Sequence, residues 1–299
     1  MTGSLHAEGR QQYERDGVAF PFTILDPAEV ARFKQTFEEV EPRLVAAGGN
    51  PPHKQCHLCF RWAYDLATHP AILDLVEDLI GPDILIHNTT IFAKPPRNPA
   101  FVSWHQDAYY FQEDASKVVA AWIALTPSTS ESGCMRALAG SHKRGRVPHV
   151  FRSRPHNMIN VGAGGLHVDI EVDEADAVDV ALQPGQISLH HGNVVHSSKP
   201  NNSDGWRIGF AVRYITPDVR MNAPHYALVL ARGQDPHGHY KLLQQVPAAD
   251  IESGIAAHVA YRAWHSTAFA SAPVGEPEPR AEHPENLSDR ATAPGRRRA

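Results

Sequence analysis

The sequence predicts a mainly β protein, an antiparallel sandwich or barrel with N-terminal helices packed outside it. Three observations carry that expectation. From residue 84 onward apolar residues recur at every second position in short runs. Turn signals such as Pro184-Gly185 and Asn201-Asn202-Ser203-Asp204-Gly205 separate the runs, and no helical pattern alternates with them. The chain of 299 residues, 42% hydrophobic and 20% charged, is long enough to bury a sizeable core without covalent staples.

In chain order, residues 8–16 carry helical spacing, and 28–46 do so behind Leu25-Asp26-Pro27, where Asp26 is placed to cap and Pro27 to open the first turn. Leu73, Val76, Leu79 and Ile80 predict a third helix that Gly81-Pro82 stops. Strands are expected at 84–94, 101–107, 118–125, 186–191, 193–198 and 206–214. Residues 143–180, rich in Gly, Arg and Asp, read as a long excursion over an active-site mouth, and 248–268 as a last helix. One domain is expected over 1–270, with its β core at about 84–215. The segment 271–299 holds five prolines, ends in Arg296-Arg297-Arg298, and is expected to be a disordered, solvated tail.

Composition narrows the function classes. Lys and Arg number 28 against 33 Asp and Glu, a net charge of −5, so no basic footprint for nucleic acid is expected. No apolar run approaches the ~18 residues of a membrane span. The N-terminus is polar and lacks the apolar centre of a signal peptide. Three cysteines make no disulfide framework, so a reducing cytoplasm is expected. The 19 histidines point to metal or proton chemistry, but composition does not rank them.

Ranking comes from spacing. In Trp104-His105-Gln106-Asp107, residues two apart on a strand share a face, so His105 presents an imidazole beside the Asp107 carboxylate. One further histidine completes the two-His, one-carboxylate set that holds non-haem Fe(II) with open positions. His190, His191 and His196 all compete for that role. On 206–214, Ile208, Phe210, Val212 and Tyr214 form a bulky packing face, while Arg207, Gly209, Ala211 and Arg213 form the other. Arginines beside such small residues fit either a cavity that holds an anion or the solvent face of an edge strand. Asn88 and Thr90 share a face with Lys94 by the same alternation.

His105-Gln106-Asp107, His196, and Arg207 eleven residues later resemble the phytanoyl-CoA dioxygenase family of Fe(II)/2-oxoglutarate oxygenases. The resemblance runs from about Gln12 to Tyr214. It takes in Tyr13-Glu14-Arg15-Asp16-Gly17-Val18, Gly133-Cys134-Met135-Arg136, Gly140-Ser141-His142-Lys143 and His196-Ser197-Ser198-Lys199-Pro200-Asn201. It implies a double-stranded β-helix (jelly-roll) core, with iron on His105, Asp107 and His196. It also implies that Arg207 binds the distal carboxylate of 2-oxoglutarate, aided by Ser198, Lys94 and Trp122, with Gln106 at the cosubstrate. The family consumes 2-oxoglutarate and O₂, releases succinate and CO₂, and oxidises an unactivated C–H bond, by default through hydroxylation. Epimerisation, cyclisation and desaturation are known diversions. Related halogenases replace the carboxylate by Ala or Gly, so Asp107 argues against halogenation here.

Substrate contacts are expected from Tyr109, Tyr110 and Phe111, which follow the carboxylate directly, and from Asn88, Thr90, Met135 and Arg213. The absence of a basic patch for coenzyme A favours a small metabolite or natural-product intermediate. Arg136 is expected either at an anion or in ion pairs. Cys56-His57-Leu58-Cys59, with His53 nearby, looks like half a zinc site, but two free thiols are the plainer reading. Two rivals are a non-catalytic metal-binding jelly roll and a cupin-like protein independent of 2-oxoglutarate. Neither explains an arginine spaced from His196.

Overall fold

The computed structural model describes residues 5–110, 115–161, 164–221 and 226–271. The expected tail, apart from Ser271, and Phe111 lie outside these. Helix α1 (Ala7–Asp16) leads into β1 (Val18–Thr23) and α2 (Pro27–Ala46). A capping box starts α2: the Asp26 carboxylate accepts from the Ala28 and Glu29 N–H groups, and Glu29 reaches back to the Asp26 N–H. Its buried residues Val30, Phe33, Phe37, Val40 and Leu44 alternate three and four apart, so one face is committed to the core. Then follow β2 (His53–Lys54), α3 (Arg61–Ala67) and α4 (Pro70–Ile80), the last ended by Gly81 at φ 91°.

The β region opens with β3 (Ile84–Lys94), β4 (Val102–His105), β5 (Val118–Ala124) and β6 (Met135–Leu138). It continues with β7 (His149–Arg152), β8 (Asn160–Val161), β9 (Gly164–Val168) and β10 (Ala177–Val180). After β11 (Gln186–His191), β12 (His196–Ser198), β13 (Arg207–Ile215) and β14 (Val229–Arg232), helix α5 (Ile251–Ser271) closes the described chain. A major sheet runs β1-β11-β5-β13-β3-β14, with β2 also on β3, and faces a four-stranded sheet β10-β6-β12-β4. All their pairings are antiparallel, as the jelly roll requires.

Alternation sorts the side chains of the major sheet. Val119, Ala121 and Ile123 on β5, and Ile208, Phe210, Val212 and Tyr214 on β13, point outward. They join Phe33, Phe37, Leu44, Leu66 and Ile72 of the helices in one core. Phe92, Trp122, Ala124 and Ala211 point inward and meet Val102, Met135, Ala137 and Val194 of the smaller sheet. Each methylene buried in these layers stabilises by roughly 0.8 kcal/mol. The inner layer is built from small residues wherever Trp122 or Arg207 needs room.

Two expectations change. Residues 143–180 are not an irregular excursion: β7, β9 and β8 form a three-stranded sheet, and β10 joins β6 in the smaller sheet. This sheet backs β4, where Val168 packs with Trp104 and the Ser103 hydroxyl donates to the Leu166 carbonyl. The expected strand 101–107 stops at His105, because Asp107 opens a 3-10 turn, Asp107–Tyr110, whose Ala108 N–H donates to the Gly192 carbonyl.

Candidate active site

His105 ends β4 and His196 begins β12, and the two strands place them directly opposite each other. Their rings lie 4.1 Å apart. The His105 Nδ1 is 2.9 Å from the Ser103 carbonyl and the His196 Nδ1 is 3.0 Å from the Val194 carbonyl. A carbonyl only accepts, so each Nδ1 carries the proton and each Nε2 keeps its lone pair. Asp107 completes the group: one ligand atom from each of the three buried residues lies within 4.8 Å of the others. The Asp107 Oδ1 is 3.6 Å from the His105 Nε2, and its buried Oδ2 has no hydrogen-bond partner.

Burial by itself raises the Asp107 carboxyl, yet the Arg213 guanidinium, with His105 and His190 alongside, holds it well below the usual carboxylate range. Burial and the neighbouring His105 push the His196 imidazole well below its ordinary value. The result is an ionised carboxylate beside two imidazoles whose Nε2 atoms face one point, a donor set that suits a divalent transition metal. Among the described residues no other group of His, Cys, Asp and Glu meets that condition. Cys56 and Cys59 are free, buried thiols, as the plainer reading expects.

Arg207 and Lys94 face each other across β13 and β3. The guanidinium is 2% exposed, and its contacts are weak ones: 3.4 Å to the Phe92 carbonyl, 3.5 Å to the Ser198 hydroxyl, and the Trp122 ring 5.4 Å from Cζ. Its Nε has no partner, and no described carboxylate pairs with it. Burial lowers it to about 10. The Lys94 Nζ donates to the Ser198 hydroxyl at 2.8 Å and to the Lys199 carbonyl, and burial followed by the Arg207 charge pushes it down to about 5. A buried guanidinium without a counterion costs several kcal/mol, which an anion entering the cavity offsets. Gly209 makes the arrangement possible, since a Cβ there would stand 1.8 Å from the Trp122 Cζ2.

One cavity joins the two groups. It is lined by His105, His196, Ser198, Arg207, Met135 and Trp122, among others. Lys94 flanks it through Ser198. Gln106 requires a correction: it does not reach the cavity. Its amide nitrogen donates to the Gly145 and Asn193 carbonyls, and its oxygen accepts from the Val147 N–H, so it ties down the turn that carries Asp107. Arg213 is placed differently from a purely substrate-facing residue. Its Nη2 is 2.6 Å from the Asp107 Oδ1, and its Nη1 lies 3.2 Å from the Asn88 Oδ1 and 3.5 Å from the Thr90 Oγ1. Arg136 is held by Glu174 and Asp179. Tyr109 packs its ring 4.7 Å from His149, while the Tyr110 side chain lies outside the described residues.

Sequence reasoning missed His149 and Phe92, and left His190 and His191 open beside His196. The His149 Nε2 accepts the Gln106 backbone N–H at 3.1 Å. The His190 Nε2 stands 3.4 Å from the Asp107 Oδ2. His191 instead turns to the Asn193 N–H. Phe92 shares the period-two face of Lys94, and that alternation is the signal that finds it.

Comparison with known proteins agrees with this geometry. The family model described as Phytanoyl-CoA dioxygenase (PhyH) matches residues 13–209, a span that contains His105, Asp107, His196 and Arg207. A Caenorhabditis elegans protein named probable phytanoyl-CoA dioxygenase is 26% identical over 242 residues, 72% of this chain and 77% of the relative. The human peroxisomal phytanoyl-CoA dioxygenase is 26% identical over 254 residues, 77% of this chain and 73% of the relative. Among solved structures, the non-heme monooxygenase ThoJ in its apo form superposes with a TM-score of 0.71 at 32% identity, covering 87% of this chain and 94% of that one.

Proposed function

The chain belongs to the phytanoyl-CoA dioxygenase family, and from that premise we propose that it is an Fe(II)/2-oxoglutarate-dependent dioxygenase. Its reaction is the hydroxylation of an unactivated C–H bond in a small metabolite or natural-product intermediate, with succinate and CO₂ as coproducts. His105, Asp107 and His196 are the residues that would hold iron, and Arg207 with Ser198 would hold the distal carboxylate of 2-oxoglutarate. The observation that carries this reading is the buried Arg207, paired with no described carboxylate, in the cavity that His105 and His196 of the three converging ligand residues also line. A metal-binding jelly roll has use for the triad but none for that guanidinium.

When bound, Fe(II) supplies the activation of O₂ that couples decarboxylation of 2-oxoglutarate to oxidation of the substrate. The chain's own work is placement. The Ser103 and Val194 carbonyls fix the tautomer and orientation of the two imidazoles. Gln106 and His149 fix the turn beneath Asp107. Trp122, Phe92 and Met135 keep the cavity walls apolar and exclude water around the polar groups. Asp107 fills the position that related halogenases leave open, which favours hydroxylation over halogenation.

The same reading takes one oxygenase domain over 1–270. No described helix is long and apolar enough to cross a membrane, and the three cysteines are free and buried. Both fit a cytoplasmic enzyme acting on a small molecule.

Anaerobic titration tests the proposal. Fe(II) and 2-oxoglutarate together should produce a weak visible charge-transfer band in the wild type, and Arg207→Ala should weaken 2-oxoglutarate binding. Metal binding without such a band, combined with unchanged 2-oxoglutarate affinity in Arg207→Ala, overturns the cosubstrate assignment. Succinate release against a panel of small metabolites then searches for the substrate.

A further inference from the structure

The inner face of the major sheet carries a second pair of cations, away from Arg207 and Lys94. Strand β2 sets Lys54 opposite Thr90, and Thr90 stands opposite Ala211 of β13. Directly opposed residues of an antiparallel sheet project from one face, so Lys54 stands on the cavity side. Its neighbour His53, opposite Ile91, is buried on the side of the helices. Arg213 stands one rung along, opposite Asn88.

Lys54 is half-buried; its backbone carbonyl lies 3.1 Å from the His258 Nε2, but its ammonium has no hydrogen bond or ion pair with any described residue. Burial, and then the Arg213 charge, push its ammonium below the ordinary lysine value. Among the described residues Arg213 has one carboxylate partner, Asp107, which is also one of the three converging ligand residues. Between the two cations lie the Thr90 hydroxyl, which donates to the Asn88 Oδ1 at 3.0 Å, and the Asn88 amide. Arg213 is paired with Asp107, while the Lys54 ammonium on the same wall has no described carboxylate of its own. Half-buried lysines normally reach either solvent or a carboxylate, and an anionic group placed here offsets the repulsion.

We propose that the substrate carries an oxyanionic group, and that Lys54 and Arg213, with Thr90 and Asn88 between them, form the subsite that holds it. The inference rests on the oxygenase reading and adds the substrate's chemical class. Since Arg213 bridges the subsite and Asp107, the oxidised carbon of such a substrate lies only a few bonds from its anionic group. A carboxylate and a phosphate monoester satisfy the same contacts, so both enter the test.

The test uses the full chain loaded with Ni(II) and 2-oxoglutarate, which fills the Arg207 side of the cavity. Calorimetry measures binding of a panel of straight-chain and aromatic monocarboxylates, the matching phosphate monoesters, and the neutral amides and alcohols of the same skeletons. Anions are expected to bind roughly tenfold to a hundredfold more tightly than their neutral counterparts. Lys54→Met should abolish that preference and Lys54→Arg should retain it, while both variants still bind 2-oxoglutarate as the wild type does. Equal binding of anions and neutral analogues overturns the proposal. So does a preference unchanged in Lys54→Met, or the absence of saturable binding by any anion of the panel. Failure of the wild type to take up Ni(II) and 2-oxoglutarate at all overturns the oxygenase reading instead, so the two failures are told apart.

Discussion

Two buried histidine clusters lie on opposite faces of the major sheet, and they differ in almost everything except burial. On the inner face the His196 ring is 4.1 Å from His105 and 4.8 Å from His190. Two of these rings have their Nδ1 committed to carbonyls, and Asp107 is within reach of all three. On the outer face His53 and His258 stand 6.2 Å apart among Cys56, Cys59 and Phe60. No described carboxylate is shared there; Glu41 is 3.7 Å from the His53 Nε2. Burial drives His53 to about 4 and His57 to about 3, so both are neutral packing groups. Density of imidazoles therefore does not make a metal site. Lone pairs aimed at one point beside an ionised carboxylate do.

The sharpest way to break that contrast is to remove a ligand on each side. His196→Ala or Asp107→Ala should lower Ni(II) affinity by more than about a hundredfold, read by calorimetry, while His53→Leu leaves it within error. A large loss in His53→Leu would mean that the outer cluster also holds the ion. Next in size, Arg207→Met should weaken 2-oxoglutarate by roughly a hundredfold. The same variant should melt no lower than the wild type, because a buried, unpaired charge has been removed.

A smaller effect is expected at Gln106. Gln106→Leu frees three backbone groups from the turn under Asp107, so Ni(II) affinity should fall by about tenfold. The 2-oxoglutarate affinity of the metal-saturated protein should not change. A selective rise in 2-oxoglutarate Kd would restore Gln106 to the cosubstrate. The smallest effect concerns acid stability. His53 and His57 have folded values below the ordinary 6.5, so protonation favours the unfolded chain. Their stabilising contribution is complete above pH 6.5 and is lost as the pH falls, toward about 4 for His53 and about 3 for His57. In His53→Leu, the drop in Tm over that window should be roughly 5 °C shallower than in the wild type. Parallel curves would show that His53 is not held neutral.

Much of this architecture was legible in the sequence. The period-two run 84–94 gave β3 with its observed ends, and the split of bulky and small residues on 206–214 assigned the two faces of β13. What escaped was short or non-local. Strand β1 contains Pro21, which lowers its strand signal and suits its place at the sheet edge. Strands β6 and β10 have four residues each and become recognisable only when paired with one another. At the site, the triad could be read because His105 and Asp107 are near in sequence and His196 sits at a fixed distance from Arg207. The Arg213–Asp107 contact spans 106 residues, and Gln106 meets partners 39 to 87 residues away. No local pattern encodes contacts made by strand pairing, and Lys54 sits on a strand of two residues.

The close approach of Gly209 to Trp122 has an evolutionary consequence. With 1.8 Å between a would-be Cβ and the indole, position 209 cannot gain a side chain while Trp122 stays in place. A side chain at 209 evicts the ring from beside Arg207, and a smaller residue at 122 leaves a void next to the guanidinium. Compensated double substitutions are thus the accessible route for reshaping this wall. A stepwise route must therefore change position 122 first and position 209 second.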